Sequence, residues 1–344
     1  MGSGFFSGLS KILKKNVKDV VNTESLKNLG KLANTDVSDL VGDVKAASLL
    51  SQIEKNPEKV ENYIQLAELY KYYKKIEKAV DVYLGIAHRY LEQKNPSQTI
   101  YFINLGLKTM PEHGPLNMFS ADMDIRMGRF SDAPDKYRKA ADYFIRKNDP
   151  MTALYLFRRI KDMNKATTKD LLNMSSILIR ENMCSDALNI LLSLKDKLKD
   201  NNEQTLKDRE ACLMMLHSLK KDDTAILVDL VETRIEMKQF ERAIILIKKL
   251  VSGDSENINL LKRQAFVYKQ MGDMENYIRT FRIIANIYAK EGNIVYRNIY
   301  FHKILKHLPN DVEALTVLKM EDQLRENIDS KIENTDSKIK MVDN

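Results

Sequence analysis

The sequence predicts an all-α solenoid of stacked helix pairs, and three observations carry that expectation. Gly (12) and Pro (7) are scarce for 344 residues, so the turn punctuation of an all-β or α/β fold is missing. Leu, Ile, Lys, Glu, Met and Ala recur throughout, which favours helix. Two small residues twelve positions apart recur along the chain, and the pairs themselves fall into a larger period of 54.

The bulk properties fit a soluble, well-packed protein. Hydrophobic residues make up 44% and charged residues 30%, a balance unlike that of a disordered chain. The net charge of +7 is modest, and both signs are mixed along most of the length. A nucleic-acid binder concentrates its cations on one face or stripe, so no nucleic acid is expected as a partner. The clearest basic cluster is Lys11, Lys14, Lys15 and Lys18, which points to an anionic membrane surface. Cys184 and Cys212 have no CxxC spacing, which excludes a disulfide framework and suits a reducing compartment. No apolar run approaches the roughly 18–20 residues that span a bilayer. The N-terminus is a poor signal peptide, because its lysines follow the apolar residues. The expected location is the cytoplasm, peripheral to the inner face of the membrane if the basic segment meets lipid.

The first copy of the repeat is VENYIQLAELYKYYKKIEKAVDVYLGIA, from Val60. Ala67 and Ala79 are the small residues where two antiparallel helices approach. Tyr63, Tyr70 and Tyr83 fill the wider spaces beside them, and Pro57 sits where a preceding repeat would end. The spacing recurs as Ala121 with Ala133, Ala141 with Ala153, Ser175 with Ala187 and Val231 with Ala243. Weaker versions are Ala87 with Thr99, Ala265 with Tyr277 and Ala285 with Arg297. Four residues after the second small position stands a large apolar residue each time: Tyr137, Phe157, Leu191, Ile247, Ile103, Phe281 and Phe301 respectively. Pro111 and Pro309 close two copies, and Gly128, Gly272 and Gly292 each fall seven after a first small position, where the turn belongs. Pair starts at 67, 87, 121, 141 and 175 alternate steps of 20 and 34. Each 54-residue unit is therefore read as three helices, at 60–73, 76–93 and 97–109 in the first copy. After residue 195 the register loosens through the polar stretch KDKLKDNNEQTLKDRE.

This pattern resembles the tetratricopeptide repeat family over about residues 50–320. The resemblance implies a right-handed superhelical solenoid that holds partner proteins and is not an enzyme. The Lys-, Asn- and Ile-rich wording looks bacterial. It is similar to tetratricopeptide proteins of bacterial envelope or motility assemblies, spirochaete flagellar-collar components among them. Asp124 and Arg234 depart from the family by occupying aromatic positions, and Tyr277 and Arg297 stand where Ala belongs. Those copies are expected to pack loosely.

The resemblance also implies which positions line a groove: three before the small residue, and one, four and five after it. These are Ile64, Glu68, Lys71 and Tyr72; Met118, Asp122, Ile125 and Arg126; and Leu172, Ser176, Ile179 and Arg180. Read as a partner-binding groove, it centres on Tyr72, Met118, Ile125, Arg126, Leu172, Ile179 and Arg180. Such a face is apolar with a recurring cation, suited to a helix or peptide bearing acidic and apolar residues. The same residues also read as ordinary solvated helix positions. Ile64 and Glu68 occupy the positions of the Lys/Asn clamp of chaperone-tail-binding relatives, which disfavours a co-chaperone role. No catalytic, cofactor or metal site is expected. The five histidines are scattered, none at metal-ligand spacing, and no phosphate-loop, dinucleotide, zinc-protease or serine-hydrolase motif occurs. Each histidine reads as a surface or interhelix residue.

The chain divides as 1–21, an amphipathic basic helix; 22–50, a linker and short helices; 51–320, the solenoid; and 321–344, a charged tail. In the first segment Phe5, Phe6, Leu9, Ile12 and Leu13 fall on one helical face, with Lys11, Lys14, Lys15 and Lys18 opposite. That is the make-up of an interfacial membrane helix, and equally of a cap docked on the solenoid. In the tail, Leu324, Ile328, Ile332, Thr335, Ile339 and Val342 hint at a short coiled coil through which the chain would oligomerise. A frayed polar tail is the other reading. The function expected is a non-catalytic scaffold or adaptor of a larger assembly. Its rivals are a regulatory subunit of an enzyme complex and a nucleic-acid-linked regulator.

Overall fold

A computed structural model describes residues 37–320 and 323, with side chains from residue 42 onwards. The basic segment 1–21 and all but one residue of the tail 321–344 lie outside the described residues, and so do the expectations placed on them. The described residues fall into two compact units that part after Glu181. The first holds α1 (Val37–Lys55), α2 (Val60–Tyr72), α3 (Ile76–Glu92), α4 (Pro96–Thr109), α5 (Gly114–Arg126), α6 (Ala133–Arg146), α7 (Pro150–Asp162) and α8 (Thr168–Arg180). The second holds α9 (Cys184–Lys195), α10 (Glu203–Leu219), α11 (Thr224–Glu236), α12 (Phe240–Gly253), α13 (Ile258–Met271), α14 (Met274–Lys290) and α15 (Ile294–His307). A further helix begins at residue 312, and no strand occurs among the described residues. Within each unit every helix packs on the next, giving an all-α helical-repeat stack.

The helix bounds follow from residue chemistry. Asn95, Asp149, Asn202, Asn257, Asp273 and Asn293 each accept a backbone N–H of the helix they precede. Thr167 and Asp170 form a reciprocal capping box at the start of α8. Pro96 and Pro150 take the first helical position, where the missing N–H costs nothing. The three helices expected of the first copy lie within one residue of the observed bounds.

Packing follows the small residues. Ala67, Ala79, Ala121, Ala133, Ala141, Ala153, Ser175, Ala187, Val231 and Ala243 are all fully buried. A side chain that small lets the helix axes approach closely. Tyr83, Tyr137, Phe157, Leu191 and Ile247 are buried four residues further on, each worth about 1.5–3 kcal/mol of apolar burial. Where the small residue carries a hydroxyl, its own helix satisfies it. Thr99 donates to the Asn95 carbonyl at 2.9 Å and Ser175 to the Leu171 carbonyl at 2.8 Å.

The turns inside the recurring helix pairs share one backbone state. Gly128, Gly272 and Gly292 have φ of 77°, 75° and 71°, in the left-handed region. The residue seven after the first small position is left-handed in the other five pairs too: Lys74, Lys94, Asn148, Asn182 and Lys238, with φ from 56° to 59°.

Two expectations need correction. The boundary at 50/51 falls inside α1, which runs unbroken because Ala46 and Ile53 both pack into the first core and Asp43 pairs with Lys75 at 2.7 Å. The copies with Asp124 and Arg234 in aromatic positions are not loose. Asp124 is 1% exposed and is held by Arg129 at 2.6 Å and Lys136 at 2.5 Å. Arg234 pairs with Glu210 at 2.9 Å, so charge pairing replaces ring packing there. Tyr277 also packs, its ring 4.4 Å from Phe281, while Arg297 is half-buried. The loosened register after 195 corresponds to a long connection between α9 and α10. Arg209 pins it by donating to the carbonyls of Leu198 (2.7 Å) and Asp200 (2.9 Å).

Candidate partner-binding face

The first helices of three successive 54-residue copies are α2, α5 and α8, and all belong to the first unit. They present their residues in rows of fixed register. The row five after the small residue is Tyr72, Arg126 and Arg180. Tyr72 is 80% exposed, and the two arginines stand at the same register. No hydrogen bond or ion pair engages Arg126 among the described residues, whereas Arg180 lies 3.4 Å from Glu181. The row four after it is Lys71, Ile125 and Ile179.

The row three before the small residue sinks progressively. Ile64 is exposed, Met118 half-buried and Leu172 only 8% exposed. Leu172 is therefore corrected from a groove contact to a packed residue, because an apolar side chain at that register gains more from burial than from water.

The row one after the small residue is Glu68, Asp122 and Ser176, and here the structure adds something not read from sequence. The buried Tyr83 donates its hydroxyl to Glu68 at 2.8 Å, and Tyr137 donates to Asp122 at 2.5 Å. Each carboxylate also has a cation beside it: Lys71 at 3.0 Å from Glu68 and Arg159 at 3.7 Å from Asp122. Tyr83 and Lys71 hold the Glu68 carboxyl below its ordinary range. Burial, and then the neighbouring carboxylate, push both tyrosine hydroxyls up. Two carboxylates of the face are thus spoken for internally, and its free charge is positive, at Arg126. The signal for these pairs was present: acid and tyrosine stand fifteen apart in two copies.

The histidines stay apart. His88 stacks on Phe119 with ring centres 4.1 Å apart, and burial lowers its pKa to about 4. His113 caps α5, its Nδ1 accepting the Leu116 N–H at 3.4 Å while Nε2 lies 3.2 Å from Asp81. His307 meets Tyr277 edge-on at 5.4 Å. No group of three or more His, Cys, Asp or Glu side chains able to hold a metal occurs among the described residues. Phe5, Phe6, Leu9, Lys11, Ile12, Leu13, Lys14, Lys15 and Lys18, expected to contact membrane, lie outside them.

The recurring small pair, the large residue four further on and the left-handed seventh residue together define the helix pair. That pair is the unit of an all-α helical-repeat fold. No protein-family model matches the chain, and no curated protein matches it. Among solved structures, the tetratricopeptide domain of P58(IPK) aligns with 92% of this chain and 98% of its own, at 13% identity and a TM-score of 0.23. A crystal structure of MamA covers 62% of this chain and 93% of its own, at 11% identity and a TM-score of 0.25. The pilF protein of Pseudomonas aeruginosa covers 72% and 99%, at 13% identity and 0.21. At such values the likeness carries no argument about family or partners. Among the described residues no helix is long and apolar enough to cross a membrane.

Proposed function

We propose that the chain is a non-catalytic tetratricopeptide scaffold, and that the first unit grips a partner segment bearing acidic and apolar residues. The observation that carries this reading is the row Tyr72, Arg126 and Arg180, at one register on three successive first helices. An aromatic ring and two guanidiniums offer apolar contact and bidentate recognition of carboxylates. With Glu68 and Asp122 paired internally, the charge of Arg126 is left unopposed, while Arg180 lies 3.4 Å from Glu181. The basic amphipathic segment 1–21 would hold the scaffold at the cytoplasmic face of a membrane. A bacterial envelope or motility assembly is the setting that the sequence resemblance implies.

The test is capture of partners by the immobilised full-length protein, compared with the double variant Arg126→Glu, Arg180→Glu. The variant is expected to lose a discrete set of captured proteins while keeping its circular dichroism spectrum and melting temperature. Identical capture by both proteins refutes the assignment of this face.

A further inference from the structure

One helix of the second unit turns an apolar and basic face to solvent. In α15, Tyr300, Phe301 and Ile304 are buried in the core of that unit. At about 100° per residue, Val295, Ile299, His302 and Lys306 fall on the opposite face, with Tyr296 and Lys303 at its edge. All six side chains are exposed, Val295 to 66%, Tyr296 to 49% and Ile299 to 41%. Ile294 at the helix start and Leu308 just past its end are exposed as well. The face is apolar over its first half and basic over its second.

The charge around this face favours an anion. α15 itself contains no Asp or Glu. From Met274 to Met320 there are seven Lys and Arg against four Asp and Glu. All four carboxylates stay charged, and Glu256 adds a fifth at 2.8 Å from Lys290, yet the cations remain in excess. Asp311 and Glu313 lie 2.5 and 2.6 Å from Arg282, Glu275 is on α14, and Glu291 is in the turn before Ile294. Lys303 lies 4.5 Å over the Tyr300 ring, which positions its ammonium without neutralising it. Neither Lys303 nor Lys306 has a carboxylate within ion-pair distance among the described residues.

We propose that this face of α15 is a second membrane-contact surface, for a bilayer that carries anionic lipid. Val295, Tyr296 and Ile299 enter the headgroup boundary, which takes protruding aliphatic and aromatic side chains without needing a complementary pocket. Lys303 and Lys306 meet the lipid phosphates. Residues 1–21 combine apolar and basic residues in the same way, and two weak attachments on one chain reinforce each other. The proposal rests on the membrane reading of that segment but shares no residue with it, nor with the partner-binding face.

The chain has no tryptophan, so Val295→Trp introduces a single fluorophore that reports on this face alone. The full-length variant is mixed with vesicles of equal parts phosphatidylserine and phosphatidylcholine. Its emission is expected to move to shorter wavelength, to be quenched by bromine-labelled acyl chains, and to return towards the free value as salt rises. Vesicles of phosphatidylcholine alone should leave it unchanged. In that background, Lys303→Gln with Lys306→Gln should raise the lipid needed for half the change by roughly tenfold or more, with the helical spectrum unchanged. If Val295→Trp does not fold, Val295→Ser with Ile299→Ser is read by vesicle flotation instead, and a roughly tenfold weakening is expected. Flotation of the full-length protein with no change in emission leaves residues 1–21 as the attachment and overturns this proposal alone. Neither flotation nor a change in emission overturns both readings. An equal shift with soluble poly-glutamate makes the occupant an acidic chain and overturns the lipid assignment.

Discussion

Among the described residues, nine inter-helix turns hold one residue in a left-handed backbone, and three residue types occupy that position: Gly at 128, 272 and 292, Asn at 148, 164 and 182, and Lys at 74, 94 and 238. Glycine adopts that conformation without steric cost, whereas a lysine Cβ crowds its own carbonyl oxygen by about 1–2 kcal/mol. Glycine also gives up more chain entropy on folding, so the net gain of a replacement is smaller. Lys238→Gly is therefore expected to stabilise the second unit by about 0.5–1 kcal/mol in urea unfolding, and Gly128→Ala to destabilise the first by about 1 kcal/mol. The alanine case isolates the backbone contribution, because a Cβ at 128 meets no atom within 4 Å. If neither variant moves the urea midpoint, the turns are not strained as argued. Sequence alone reveals the three glycines. It hides the lysines, since nothing about that side chain announces an unusual φ and the neighbouring helices impose it. The tyrosine–carboxylate pairs escaped for another reason: a tyrosine at a core register is explained by its ring, and the hydroxyl's need for a partner is easily passed over.

Helices were the most legible objects in the chain, because small residues at fixed spacing and polar caps mark both their contacts and their ends. Ala121 makes the point quantitative. It is fully buried on α5, so Ala121→Phe should overpack the contact and cost about 1–3 kcal/mol, read as a fall in melting temperature. An unchanged melting curve would mean that the register of α5 is misplaced. What the pattern misjudged at this scale is how polar residues enter the core. Asp124 looked like a defect because its partners Arg129 and Lys136 lie five and twelve residues on, across a turn, where no helical periodicity relates them. The face of α8 was misjudged at Leu172 because residues on a groove edge and residues under it have the same composition. Only packing separates them.

At the scale of the whole molecule, the division after Glu181 leaves no trace in the pattern, since the spacing of Ser175 and Ala187 runs straight across it. Residues 1–21 combine apolar and basic residues in the make-up of a segment that would hold the chain at a membrane surface. Four lysines near an anionic surface contribute on the order of 1 kcal/mol each, so membrane binding should be reversible and weakened by salt. Full-length protein is expected to float with vesicles containing anionic lipid, and protein lacking residues 1–21 to remain at the bottom of the gradient. Phe5→Ser with Phe6→Ser should reduce flotation without altering the melting curve. A truncation that lowers the melting temperature, with no flotation of either protein, makes the segment a cap instead. The helix-on-next-helix order within each unit bears on how the protein is made. The substantial contacts join elements that are adjacent in sequence, so each closes only a short loop. A helix emerging from the ribosome finds its partner already synthesised and waiting. The nascent chain can bury its apolar stripes one at a time, without exposing a half-finished core to the crowd around it.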